Sequence, residues 1–134
     1  MVSGEGEIAP RAGEQIALEL ISLRQKIDQF ELEFSLLAAE FAATDEYFEQ
    51  GFESAIGWIK ANCHMSGGAA ADRVCVGEQL ERVALSAAAL SEGSIGFAHF
   101  AHIARTSAAL GERLDEARLL RQAQKHSVAR FRND

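Results

Sequence analysis

The sequence predicts an all-α helical bundle, with one long N-terminal heptad helix followed by several shorter helices, and three observations carry that prediction. The single proline is Pro10, so no helix breaker occurs from residue 11 onward. Alanine, the best helix former, is abundant along the chain. Between Ile16 and Phe41 the apolar residues recur at alternating spacings of four and three, which is the period of a heptad seam and not of a strand.

The first ten residues, MVSGEGEIAP, have no apolar period and read as a disordered tail over 1–10, leaving one helical domain over 11–134. The long helix is expected from about Arg11 to Ala43. Its seam is Ile16, Leu20, Leu23, Ile27, Phe30, Phe34, Leu37 and Phe41, and Leu18, Ile21, Leu32 and Leu36 widen the stripe as if more than one neighbour covered it. About 30 residues at 1.5 Å each give about 45 Å, longer than a small domain needs, so part of this helix is expected to overhang and pair with another chain.

Thr44 and Asp45 interrupt the stripe, and EYFEQGFES, with aromatic residues out of helical phase and a turn at Gly51, reads as a packed connector. Ser54 is placed to cap a short helix containing Ala55, Ile56, Trp58 and Ile59, which ends near Asn62 to Met65. Ser66 is the next cap, ahead of GGAAADRVCVGEQLERVAL, where the small residues permit close helix approach. SAAALSEG reads as a short helix closed by Gly93. Ser94 is expected to cap the helix IGFAHFAHIARTSAAL, ended by Gly111; a further helix spans about Leu114 to Gln124, with Leu114, Ala117, Leu120 and Ala123 on its stripe. Ser127 then caps a last helix that the chain end cuts short, which reads as the front part of a longer protein.

The composition is 48% apolar and 25% charged, enough to build a core and against global disorder. Net charge is −7 but is divided unequally: residues 1 to 59 hold 12 acids and 3 bases, residues 60 to 134 hold 8 acids and 10 bases. The N-terminal half is therefore a poor ligand for polyanions, and any nucleic-acid contact falls to the C-terminal half. Two cysteines, Cys63 and Cys75, are too few for a disulfide framework, and no secretory segment precedes them, so a cytoplasmic location is expected. Charges interrupt every apolar run short of the roughly 20 residues that a membrane span requires.

From Gly51 to Thr106 the order of motifs resembles domain of unknown function 222, a helical module commonly found ahead of an HNH endonuclease domain. The residues that carry the resemblance are Ser54 to Trp58, the Met65-Ser66 turn, Ala71 to Val76, Leu80, then Leu90, Gly93, Ile95, His99 and Ile103, with Leu119, Leu120 and Ser127 to Phe131 at the end. The resemblance implies a helical bundle working beside a metal-dependent nuclease. It does not imply a nuclease here, because the histidines and asparagine that hold the cation and activate water in an HNH site have no counterpart in this chain. No enzymatic activity and no cofactor are expected.

Ser54 to Leu80 has the outline of a helix-turn-helix. The positions that would meet base edges are Gly67, Gly68, Ala69, Ala70 and Ala71, which offer almost no hydrogen bonds, so close packing is the expectation. ALSEGSIGFAHFAHIA resembles a helix pair of plasmid-partition proteins over a short overlap, and packing again explains the same residues. From Arg105 to Arg132 seven bases face three acids, a balance of +4, and Arg118, Arg121 and Lys125 share a helix face. His99 and His102 lie one turn apart without a third ligand at a useful spacing, and Cys63 and His64 are adjacent, so no metal site is expected. Trp58, between Ile56 and Ile59, reads as a core anchor.

Two functional expectations follow. The first is a non-catalytic accessory module of an HNH-nuclease-type protein that contacts duplex DNA phosphates through Arg105, Arg118, Arg121, Lys125, Arg130 and Arg132. The second is a scaffold that forms a homodimer or holds partner helices through the seam from Ile16 to Phe41.

Overall fold

A computed structural model describes residues 12–133, and the expected tail over 1–10 lies outside them. The fold is all-α: the described residues form eight α-helices and two 3-10 turns, without a strand. They are α1 Gly13–Ala42, α2 Glu46–Glu49, α3 Ala55–Cys63, α4 Gly67–Gln79, α5 Ala84–Glu92, α6 Phe97–Leu110, α7 Glu116–Lys125 and α8 Val128–Asn133, with 3-10 turns at Leu80–Val83 and Gly111–Arg113.

Short polar side chains start several of these helices by accepting backbone N–H groups that the first turn leaves unpaired. The Ser54 hydroxyl accepts from Gly57 N at 3.0 Å, Ser66 from Ala69 N at 3.1 Å and Asp115 from Arg118 N at 3.2 Å. Gly93 ends α5 at φ 83°, a left-handed backbone suited to glycine, and Ser94 N then reaches back to Ala89 O at 3.0 Å.

Two expected boundaries and one expected helix face move. Ser94 does not cap α6; Gly96 does, because Ile95 between them drops into the core. The Ser94 hydroxyl instead accepts from the Gln124 side chain at 3.0 Å, joining the end of α5 to α7. The helix opened by Ser66 stops at Gln79, where a 3-10 turn drives Val83 fully inside before α5 begins. In α7 Ala117 is exposed, and Leu119, Leu120 and Ala123 face inward.

The larger of two apolar clusters joins Val76 of α4, Leu90 of α5, Phe97, Phe100 and Ile103 of α6, Ala123 of α7 and Phe131 of α8. Phe100, Ile103 and Phe131 are fully buried, each worth about 1.5–3 kcal/mol of transfer from water. The smaller cluster joins Ala38 of α1, Ile59 of α3, and Ala70 and Val74 of α4, with Phe34 and Trp58 packed against it. Helix α4 contributes to both and lies between α1 and α6, so it occupies the centre of the bundle.

Neighbouring residues of α4 with opposite charges tie it to both sides. Arg73 makes a two-pronged ion pair with Glu31 of α1, at 3.2 and 2.7 Å, while its guanidinium lies 5.0 Å from the centre of the Phe97 ring. Asp72 accepts from Arg105 of α6 at 2.7 Å. Helix α4 is thus held on both sides by packing and by ion pairs.

The face that α1 turns to the bundle is not its heptad seam. Its buried residues are Asp28, Ser35 and Ala38, all small or polar. Asp28 accepts from Arg24 at 3.1 Å and its carboxylate faces Gly96 at the N-terminus of α6, an end that favours negative charge. Small residues win this face because α1 and α4 approach closely. Residues 13–27 of α1 are exposed, and Gln25 is already against Gly93 at the end of α5, so about 12 residues, or roughly 18 Å, project past the bundle. The expectation that several neighbours cover the wide stripe is corrected: Leu18, Ile21 and Leu36 are exposed, and only Leu32 packs against the core.

Candidate functional site: an uncovered seam on α1

Alternating steps of four and three keep the seam residues on one side of α1, and the bundle binds mainly the neighbouring side, touching the seam only at Phe34 and Phe41. The seam is consequently bare. Phe30 is 68% exposed, Leu20 and Leu37 each 64%, and Leu23 57%; Ile16 and Ile27 are also exposed, while Phe34 and Phe41 are half-buried. Among the described residues, nine of the twelve exposed large hydrophobic residues lie on α1, the other three being Phe48, Leu85 and Leu110. Scattered exposed apolar residues need no explanation, but a continuous row on one helix marks an interaction surface.

Beside the second half of the seam, α3 raises a wall. Phe41 stacks at a tilt on Trp58, with ring centres 4.5 Å apart, and meets Tyr47 edge-on at 6.3 Å. The Trp58 indole N–H donates to the Gln50 side chain at 2.8 Å, which fixes the ring. Trp58 is thus an anchor as expected, and it also lines an open groove. One part of the groove, about 380 Å³, is bounded by Phe34, Leu37, Phe41, Trp58, Ile59 and Cys63. A second part of about 380 Å³ is bounded by Ile27, Phe30, Glu31, Phe34, Cys63 and Met65. Sharing Phe34 and Cys63, the two make one apolar channel along α1. Its walls are mostly carbon, suited to holding apolar side chains.

The channel had no signal in the sequence, since it depends on α3 folding back on a helix whose contacting residues are about 20 positions earlier. The exposed seam had a clear one, in its period.

The six basic residues are not brought together as one surface. Arg105 is half-buried and committed to Asp72, with its other nitrogen 3.5 Å from His102 Nδ1, so it is a tie between α6 and α4 and not a free phosphate ligand. Arg118, Arg121 and Lys125 are exposed on α7 and form no ion pair among the described residues. The acids near them are used at helix ends: Asp115 caps α7, and Glu116 accepts from Ser86 N on α5 at 2.7 Å. Arg130 and Arg132 are exposed on α8.

The two histidines serve packing. His99 Nδ1 accepts from Gly96 N at 3.1 Å and its Nε2 lies 3.0 Å from His126 O, so Nε2 carries the proton and the ring joins the start of α6 to the α7–α8 connection. His102 meets the buried Phe131 ring edge-on at 4.9 Å. Burial pushes its pKa below the ordinary 6.5, and the charges of Arg105 and Arg132 push the same way. Among the described residues no group of three His, Cys, Asp or Glu is placed to hold a metal ion. Burial, with the charge of Glu78, raises the Cys75 thiol above its ordinary 9.0, against the opposing pull of Arg105, which leaves it a protonated small hydrophobe. Among the described residues no helix is long and apolar enough to cross a membrane.

Compared with known proteins, the chain matches no family model, no curated protein and no solved structure.

Proposed function

We propose that this protein is a non-catalytic association module whose long helix α1 joins two copies of the chain through the seam from Ile16 to Phe41. The observation that carries the reading is that the bundle packs mainly on the small, polar side of α1 and leaves six of the eight seam residues exposed. Burying one such Leu or Ile fully is worth about 1.5–3 kcal/mol, and several from each copy offset the cost of association, about 4–15 kcal/mol. Sedimentation velocity on the chain with Leu20→Glu and Leu23→Glu tests it. These two side chains project from the overhang, away from the core, and Glu is nearly as good a helix former as Leu. The variant is expected to keep its helicity and sediment as a monomer; sedimentation identical to that of the unchanged chain would contradict the reading.

A second reading keeps the role that the motif resemblance implies, an accessory to an HNH nuclease that contacts duplex DNA. The exposed Arg118, Arg121 and Lys125 on one face of α7 support it, since among the described residues no acid there neutralises them. Three phosphate contacts give a salt dependence of log K with slope about −0.9 per contact. Fluorescence anisotropy with a labelled duplex is expected to show binding at low salt that is lost on changing all three residues to Gln; no binding at low salt would count against it.

A further inference from the structure

Resting on that self-association reading, we infer that the two copies run antiparallel, with the overhang of each α1 lodged in the α1–α3 channel of the other. Three features of the helix select this orientation. The first is register. Laying Leu23 of one copy against Phe34 of the other sets Leu20 against Leu37 and Ile16 against Phe41, because each of these pairs sums to the same residue number. Phe34 and Phe41, the half-buried aromatics of the seam, then each meet a slimmer aliphatic side chain from the overhang. In-register parallel pairing instead faces Phe30, Phe34 and Phe41 with themselves, beside the wall that α3 already raises.

The second feature is charge. Residues 13–27 hold Glu14, Glu19, Arg24 and Lys26 and are neutral in sum, whereas residues 28–42 hold Asp28, Glu31, Glu33 and Glu40 and sum to −4. Arg24 and Arg73 hold Asp28 and Glu31, so parallel pairing lays Glu33 and Glu40 of one copy along those of the other. Antiparallel pairing lays each acidic segment against a neutral one, with Lys26 within two residues of the exposed Glu33 of the other copy along the helix. The third is length. The channel follows α1 from Ile27 to Thr44, about 26 Å at 1.5 Å per residue, long enough to seat the overhang of roughly 18 Å.

Cross-linking reads the orientation directly, because Cys63 lies in the channel beside Phe30 and Phe34. In a Leu23→Cys, Cys75→Ser chain, mild oxidation is expected to give a covalent dimer in which peptide mapping joins position 23 of one copy to Cys63 of the other. A link between the two introduced thiols at position 23 would overturn the antiparallel seating while leaving self-association intact, as would a dimer by light scattering that forms no link to Cys63. A monomer by light scattering would instead remove the reading on which this one rests.

Discussion

Gly77 of α4 stands directly against the backbone of Ser35 on α1. A Cβ added there would overlap the Ser35 carbonyl oxygen and come to 2.6 Å from the Ala39 side chain. That contact decides which side of α1 the bundle takes. A face carrying Ser35, Ala38 and Ala39 lets two backbones approach where Leu or Phe would hold them apart, and the seam is left outside.

Gly77→Ala therefore tests the close approach. Alanine in a helix interior ordinarily gains about 1 kcal/mol over glycine. Here the neighbour in the way is backbone and cannot yield cheaply, so overpacking by about 1–3 kcal/mol is expected to outweigh the gain. Urea denaturation of the variant should show a net loss of stability, and a gain would mean that α1 and α4 sit farther apart.

Glu116 and Ser86 give a pair of opposite predictions. The Glu116 carboxylate accepts the Ser86 backbone N–H, a charge-assisted bond that closes the start of α5 from α7. Glu116→Ala is expected to cost about 1–2 kcal/mol by leaving that amide without its partner. The Ser86 hydroxyl is buried with no hydrogen-bond partner, so Ser86→Ala is expected to be neutral or stabilising in the same thermal melt. Destabilisation by Ser86→Ala would show that the hydroxyl is bonded after all.

His102 predicts a pH dependence. Its folded-state pKa is lowered, so as pH falls through 6.5 the unfolded chain takes up the proton before the folded one does. Stability contributed by neutral His102 is full above that pH and declines below it. Melting temperatures taken from pH 7.5 to 5.5 should fall less for His102→Gln than for the unchanged chain, and identical profiles would remove His102 as the cause.

Much of this architecture was legible in local chemistry. The heptad spacing identified α1, Ser54, Ser66 and Ser127 marked helix starts, and Gly93 and Gly111 marked helix ends, because each of those signals acts within a few residues. Choices made between distant segments were not legible. Arg105 reads as a free base until α4 brings Asp72 against it from 33 positions away. Ser94 reads as a cap until the core claims Ile95. The seam itself was visible, but whether the bundle would cover it turned on Gly77 and Ser35, two residues that carry no hydrophobic signal.

Arg73 shows how far the fold leans on long-range pairing. Its guanidinium is mostly covered, bonded to Glu31 and placed over Phe97. Arg73→Met keeps the stem but leaves the Glu31 carboxylate partnerless at a half-covered site. A loss of about 1–3 kcal/mol is expected in chemical denaturation, and Glu31→Gln in the same background should recover part of it. Additive losses would show that the two residues act separately.

The most direct measurement is the mass of the unmodified chain in solution by light scattering across a dilution series. Two copies joined through α1 give twice the 14.5 kDa of one chain, with dissociation only on dilution. A mass of 14.5 kDa at every concentration would mean that the bare seam of α1 does not join copies of this protein.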